Sequence, residues 1–330
     1  MPKINISLLL TYDGRPMTGE YPIEITGLRK EYGQFVAVDN LDLSIKKNSF
    51  TGLLGPNGAG KSTTLKILTS LINATSGSAY LNGVDIAKNP KGALMGVGTV
   101  VETPEFYLYL TPRETFRYIG EIIGMSTEAI VSETNEILEK VKMTEWADKK
   151  MGTFSKGMRQ RIALGQALLN DPSVVILDEP TSGLDPRGMA EVRDILKNLR
   201  NETKDLTVLM SSHMLHEVSD LCDRVAIVNH GKLLIHDDIG KVIDKSGVRT
   251  IFIKILGEPD KEDITKISGL PNVANAERYG NDIEVRFNGD VAEQADFFRA
   301  VDGLGIKAYS LSEGDNGLET TYLDLIKESR

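Results

Sequence analysis

The sequence predicts a large α/β domain over residues 21–240 followed by a small α+β domain over residues 246–330. Three observations carry that prediction. Short apolar strands alternate with helical stretches from Tyr21 to about Asp237, the rhythm of an α/β domain. A loop of Gly, Pro, Asn and Ala separates one of those strands from the helix that follows it. After about Lys245 the order becomes βαββαβ, the order of a ferredoxin-like split βαβ unit.

A chain of 330 residues has room for two such cores. Its composition, 41% hydrophobic and 26% charged, is that of an ordinary globular protein. A net charge of −9 argues against a protein built to neutralise nucleic-acid phosphates, so no nucleic-acid partner is expected. Cys222 is the only cysteine, which rules out an intrachain disulfide and a cysteine-based zinc site and suits a reducing cytoplasm. Nowhere do about 18 apolar residues run together, so any spanning part must come from another polypeptide.

Taken in order, residues 1–20 read as an extension of unassigned role. The run Leu8-Leu9-Leu10 is cut short by Thr11, Tyr12 and Asp13, well before a signal peptide's apolar region is complete. Residues 50–55 read as a buried strand and 61–71 as the helix after it. Residues 111–170 are almost strand-free, with helical spacing of Phe116, Ile119, Ile122 and Ile123 and again of Ile137, Leu138 and Val141. Buried strands follow at 174–177, closed by Asp178, and at 206–210. In the second part, strands are expected at 250–256, 273–279, 282–287 and 306–311, with helices at 261–268, 291–304 and 317–329. Gly280-Asn281 is a hairpin signal between the middle two strands.

The segment Gly55-Pro56-Asn57-Gly58-Ala59-Gly60-Lys61-Ser62 fits G-x-x-x-x-G-K-[ST] in full, after a strand and opening a helix. Glycines let the backbone curl so that successive N–H groups face one anion-binding hollow, and the helix adds its positive end. In that setting Lys61 bridges the β- and γ-phosphates of a nucleotide and the Ser62 hydroxyl ligates Mg²⁺. The apolar strand Val174-Val175-Ile176-Leu177 ends in Asp178-Glu179. Asp at the carboxyl end of a buried strand suits Mg²⁺, and Glu179 suits a general base acting on water.

Four motifs now stand in one order: the phosphate loop, Phe154-Ser155-Lys156-Gly157-Met158-Arg159-Gln160-Arg161, ILDEPTSGLDP, and Ser212-His213. Over residues 23–237 the chain resembles ABC-type ATPases, most of all the bacitracin- and daunorubicin-type antibiotic export ATPases. The resemblance implies a P-loop NTPase with a RecA-like core, a helical subdomain at about 105–165, and two ATPs sandwiched between two protomers. It carries the ATP-binding set to Gly55, Pro56, Asn57, Gly58, Ala59, Gly60, Lys61, Ser62 and Thr63. Tyr32 matches the aromatic that stacks on adenine, with a buried core tyrosine as the competing reading. Ser155 and Gly157 match the signature positions that meet the opposite protomer's γ-phosphate, while Lys156 and Met158 depart from the commonest Ser-Gly-Gly-Gln form. Asp185 matches the loop that couples the two sites, and His213 the switch histidine that orients Glu179. His213 and His216 stand i, i+3, so a metal pair on one helix face competes with that role.

One departure matters chemically. The family's Mg²⁺-contacting glutamine aligns with Glu102, a carboxylate that still offers oxygen to Mg²⁺ or its water. The resemblance therefore implies an ATPase using ATP and Mg²⁺, with Ser62, Glu102 and Asp178 as the metal set. Its partners would be a second copy of itself and a separate membrane-spanning permease, at the inner face of the cell membrane. Two rivals stay open: a soluble ABC-type ATPase with no transporter, and a regulatory module that binds ATP without turnover. The first is weakened by a stretch between Lys61 and Asp178 that carries no heptad array.

Overall fold

The computed structural model describes residues 19–246, 249–313 and 317–329. The reading of residues 1–20 as an extension therefore lies, but for its last two residues, outside the described chain. Contacts divide the chain into two compact units at His236 and Asp237.

The first unit opens with an antiparallel hairpin, β1 (Ile23–Tyr32) and β2 (Phe35–Ile45). Then come β3 (Phe50–Leu54), α1 (Lys61–Leu68), β4 (Ser76–Leu81), β5 (Val84–Asp85), the short α2 (Pro90–Ala93) and β6 (Val97–Val100). Three helices follow: α3 (Pro112–Ile123), α4 (Thr127–Lys140) and α5 (Lys156–Ala167). The unit continues through β7 (Val174–Asp178), α6 (Pro186–Glu202), β8 (Thr207–Ser212), α7 (Leu215–Leu221) and β9 (Arg224–Asn229), with β10 (Lys232–Asp238) at its end.

Two sheets result. One has the order β2-β1-β4-β5, antiparallel at each pairing. The other has the order β10-β9-β3-β8-β7-β6, with parallel pairing from β9 through to β6. A parallel sheet is covered on both faces, which is why β3 is buried at every residue and β7 at Val174, Val175, Ile176 and Leu177. Helix α1 lies in the core that both sheets share. Its Leu65 and Leu68, fully buried, belong to one cluster with Ile23 and Leu41 of the antiparallel sheet and Val174 and Ile176 of the parallel one. That burial fixes the axis of α1, and so the place of its first residue, Lys61.

The antiparallel sheet leaves no clear trace in the sequence. Its strands carry polar residues and repeated register shifts, so they show no clean alternation to read. Within residues 111–170 the described structure is helical, and the helix starts follow their caps. Thr111 and Glu114 form a reciprocal capping box on α3, and Ser126 caps α4. The apolar face expected for α3 needs correction, because Ile122 and Ile123 are exposed. Thr115, Phe116 and Gly120 face inward instead. Gly120 allows this approach, since a Cβ there would stand 2.6 Å from Ile130 Cγ1.

The second unit contains α8 (Ile239–Ser246), β11 (Arg249–Ile255), α9 (Lys261–Ser268), β12 (Val273–Tyr279), β13 (Asp282–Phe287), α10 (Val291–Gly303), β14 (Ala308–Glu313) and α11 (Gly317–Glu328). Its sheet has the order β12-β13-β11-β14, antiparallel throughout. Ile251, Ile253, Ile283, Val285 and Phe287 form its core with Phe297 and Val301 of α10 and Ile267 of α9. The unit begins earlier than residue 246 because α8, which precedes the first strand of that unit, packs with α11.

Packing between α5 and β6 gives a direct test of the first unit. A Cβ at Gly98 would sit 1.7 Å from the Ala167 carbonyl oxygen. Gly98→Ala should cost about 1–3 kcal/mol, read as a lowered thermal midpoint, because backbone rather than a flexible side chain must move. Gly240→Ala, where no atom lies within 4 Å, should be near neutral in the same assay. Equal midpoints for the two variants would contradict this packing.

Candidate nucleotide site

The loop between β3 and α1 is built by backbone constraint. Gly58 and Gly60 hold φ of 82° and 99°, in the left-handed region that favours glycine. Gly60 has a second reason to be glycine: a Cβ there would meet the Ala37 carbonyl oxygen at 2.4 Å. Nothing lies within 4 Å of the Cβ position at Gly58, so the loop's hollow stays open there.

Lys61, only 5% exposed, folds back over this loop. Its Nζ donates to the carbonyl oxygens of Gly55 at 2.7 Å and Pro56 at 3.1 Å, and lies 3.8 Å from Glu179 Oε1. Burial pushes its pKa below the ordinary lysine value, and the carboxylates of Glu179 and Asp178 oppose that shift. The ammonium is thus desolvated and only partly balanced, a group prepared for an anion.

The acids converge on it. Asp178, at the end of β7, accepts from Ser62 Oγ at 3.1 Å and from Ser211 Oγ at 2.5 Å. Ser211 Oγ also accepts from the Glu179 backbone N–H at 2.9 Å. Glu179 itself holds φ of 44°, an uncommon conformation for a non-glycine residue, and His213 Nδ1 lies 3.2 Å from its Oε1. Backbone in this region recurs where a site fixes a side chain's direction.

Two clefts share Ser62 and Glu179. One, of 180 Å³, follows the loop and is lined by Asn57, Gly58, Ala59, Gly60, Lys61, Ser62 and Thr63 together with Phe35 and Ala37. The other, of 270 Å³, is lined by Glu102, Thr103, Pro104, Lys156, Gln160, Asp178 and Ser182. Glu102, at φ of 71°, pairs with Lys66 of α1, and that hydrogen bond raises the Lys66 pKa. Tyr32 sits at the mouth of the hairpin opposite Phe35, 48% exposed, with Lys30 Nζ 5.0 Å from its ring centre. The core-tyrosine alternative fails on that exposure.

Ser155 and Gly157 flank Lys156, which lines the second cleft. Ser155 caps α5, its hydroxyl accepting from Met158 N–H at 3.2 Å. Gly157 passes close to α6, where a Cβ would approach Gly188 Cα at 3.5 Å. Asp185 caps α6, accepting from Gly188 N–H at 3.2 Å. Neither Ser155, Gly157 nor Asp185 lines the clefts that hold Lys61 and Glu179.

A family model described as "ABC transporter" matches residues 38–182, and one described as an AAA domain, putative AbiEii toxin, matches residues 148–219. The bacitracin transport ATP-binding protein BcrA of Bacillus licheniformis is 42% identical over 212 residues, covering 64% of this chain and 68% of that one. The chain belongs to the ABC transporter ATP-binding family. The lantibiotic transport ATP-binding protein SrtF of Streptococcus pyogenes is 35% identical over 216 residues, 66% of this chain and 90% of that one. Among solved structures, an ATP-binding subunit of an ABC transporter is 26% identical with a TM-score of 0.61, covering 68% of this chain and 93% of that one. A dimeric bacterial ABC transporter cassette is likewise 26% identical, with a TM-score of 0.59 over 66% of this chain and 98% of that one.

The first unit is accordingly an ABC ATPase cassette with the P-loop NTPase fold. Its phosphate loop and its Asp178-Glu179 strand end were readable because their chemistry fixes residue types at fixed spacing. Ser211 was not, since a serine one residue before Ser212-His213 carries no mark of the two groups it joins. Phe35 and Lys66 carry no such mark either. The hairpin brings Phe35 to the cleft, and α1 brings Lys66 to Glu102.

The Lys61 environment makes a stability prediction with a definite sign. Folding lowers this lysine's pKa, so its penalty is fully present below the folded value and vanishes as pH rises through the ordinary lysine range. Lys61→Met should therefore leave the nucleotide-free thermal midpoint equal or higher at neutral pH. It should also abolish the upward shift that Mg-ATP gives the wild type. A lowered midpoint without nucleotide, or a retained shift with it, would contradict the account.

Proposed function

We propose that this chain is the ATP-hydrolysing subunit of an exporter, acting as an ATP-sandwiched dimer under a separate membrane-spanning permease at the cytoplasmic face. One observation carries the reading: Lys61, Ser62, Asp178, Glu179 and His213 converge within hydrogen-bonding or ion-pair reach, while Ser155, the cap of α5, lines neither of the clefts that they form. Half of a phosphate cage is built within the chain, and the signature helix offers a second half to another copy. No helix among the described residues is long and apolar enough to cross a membrane, which fits a spanning part supplied by a partner. Relatives named for bacitracin and lantibiotic transport support a transport role.

The chemistry follows from positions. The loop N–H groups and the positive end of α1 receive the phosphates, and Lys61 exchanges its two carbonyl partners for phosphate oxygens. The hydroxyl of Ser62 and the carboxylate of Asp178, 3.1 Å apart, form a hard-oxygen pair suited to Mg²⁺. Bound there, that ion would neutralise charge on the β- and γ-phosphates. Glu179 accepts a proton from the attacking water, and His213, 3.2 Å away, fixes the direction of its carboxylate. Glu102 lines the same cleft as Ser62 and Asp178, within reach of that metal's water shell once it leaves Lys66. The intact pairing of Glu179 with His213 speaks for turnover and against a module that only binds ATP.

Glu179→Gln should separate binding from hydrolysis. We expect a monomer without nucleotide and a stable dimer with ATP, read by size-exclusion chromatography with light scattering. Adding Ser155→Arg should return the monomer. A Glu179→Gln chain that binds ATP tightly yet stays monomeric at high concentration would sink the sandwich.

Glu102→Gln isolates the acid that stands where the family has glutamine. The variant should bind ATP as the wild type does and shift the Mg²⁺ dependence of hydrolysis, because a carboxylate and an amide hold a divalent cation's water differently. A superimposable Mg²⁺ titration would assign the metal contact to another residue.

A further inference from the structure

Behind the catalytic acids lies a carboxylate to which the proposed chemistry gives no part. Glu217, in the first turn of α7, is 1% exposed. Its Oε1 accepts from the hydroxyl of Thr181 and its Oε2 from Ser212 Oγ at 2.9 Å. Both hydroxyls belong to residues that are themselves 1% exposed. No lysine, arginine or histidine pairs with Glu217 among the described residues. A carboxylate buried on two neutral hydroxyls is costly compared with an apolar side chain of similar size.

Its two partners show what the cost obtains. Thr181 lies two residues beyond Glu179, in the loop leading to Asp185. Ser212 lies between Ser211 and His213 at the end of β8. Along an extended backbone successive side chains face opposite sides. Ser211 and His213 face the nucleotide side, where they meet Asp178, the Glu179 N–H and the Glu179 carboxylate. Ser212 faces the reverse side and meets Glu217. The Ser212 oxygen also accepts from the Met214 N–H at 2.9 Å, which fixes the turn that carries His213. One buried carboxylate thus ties the strand end bearing the histidine to the loop leaving the base.

We propose that Glu217 is a positioning residue for ATP hydrolysis, clamping the His213 turn to the Thr181 loop so that His213 and Glu179 keep their mutual geometry. The inference rests on the assignment of Glu179 and His213 above. It adds a residue that touches neither nucleotide nor water.

The test is a set of variants followed by single-turnover hydrolysis and Mg-ATP affinity. Glu217→Ala should slow single-turnover hydrolysis by about tenfold or more, with affinity within about twofold of wild type. In a His213→Ala background it should cost no more than about a further twofold, because the two residues act through one geometry. Glu217→Gln should stay within about threefold of wild type, since its oxygen accepts from one hydroxyl and its amide donates to the other. Should Glu217→Ala fail to fold, the pair Thr181→Val and Ser212→Ala removes both bonds with little change in volume and should reproduce the loss. Losses that multiply with those of His213→Ala, or affinity falling in step with rate, would reduce Glu217 to a structural residue and overturn the proposal. Unchanged turnover in Glu217→Ala would do the same. The wild type and Lys61→Ala run alongside: a wild type without turnover removes the ATPase reading itself, whereas a competent wild type, silenced by Lys61→Ala, confines any failure to Glu217.

Discussion

The ammonium of Lys61 is buried in a loop that offers it two carbonyl oxygens and a carboxylate 3.8 Å away, and the surrounding fold keeps it there. Left-handed backbone at Gly58 and Gly60 curls the loop, and the Ala37 carbonyl leaves no room for a side chain at Gly60. Helix α1 is anchored by Leu65 and Leu68 in a core shared by an antiparallel and a parallel sheet, so its first turn cannot drift. A cation held against its desolvation penalty is stored affinity for an anion. The same arrangement makes the site less stable without nucleotide than an apolar loop would be.

From that cation the remaining geometry follows outward. Ser62 and Ser211 both donate to Asp178, and Ser211 also receives the Glu179 N–H, so two neighbouring strand ends are locked at one carboxylate. Glu179, in left-handed backbone, turns its carboxylate between Lys61 and His213. Each contact spans different segments of the chain. Hydrolysis at this point can therefore move several segments at once, which is the property an energy-coupling subunit needs.

The legibility of the chain tracks how local each constraint is. The loop between β3 and α1 and the acid-terminated end of β7 were readable because backbone conformation and oxygen-donor chemistry dictate residue type at fixed spacing. Strand β7 was readable as an apolar run closed by Asp178, and β3 as a short run broken only by Thr51 and Gly52. The antiparallel sheet was not, since bulges break the alternation that marks a half-buried strand. Spacing placed Ile122 and Ile123 on the inner face of α3, but the close approach allowed by Gly120 turns that helix differently. Ser211, Lys66 and Glu217 act through partners distant in sequence. Only the assembled strand ends show what they hold.

The proposed site is composite, with Lys61 and Glu179 of one chain facing Ser155 of another. The most direct measurement mixes two inactive chains, Lys61→Ala and Ser155→Arg, and follows phosphate release at high protein concentration. A heterodimer of the two contains one complete site, with Lys61 and Glu179 from the second chain and Ser155 from the first, and one site broken on both sides. The account predicts that the mixture recovers hydrolysis that neither chain shows separately. A mixture as silent as its components, with the Ser155→Arg chain still binding Mg-ATP, would contradict it.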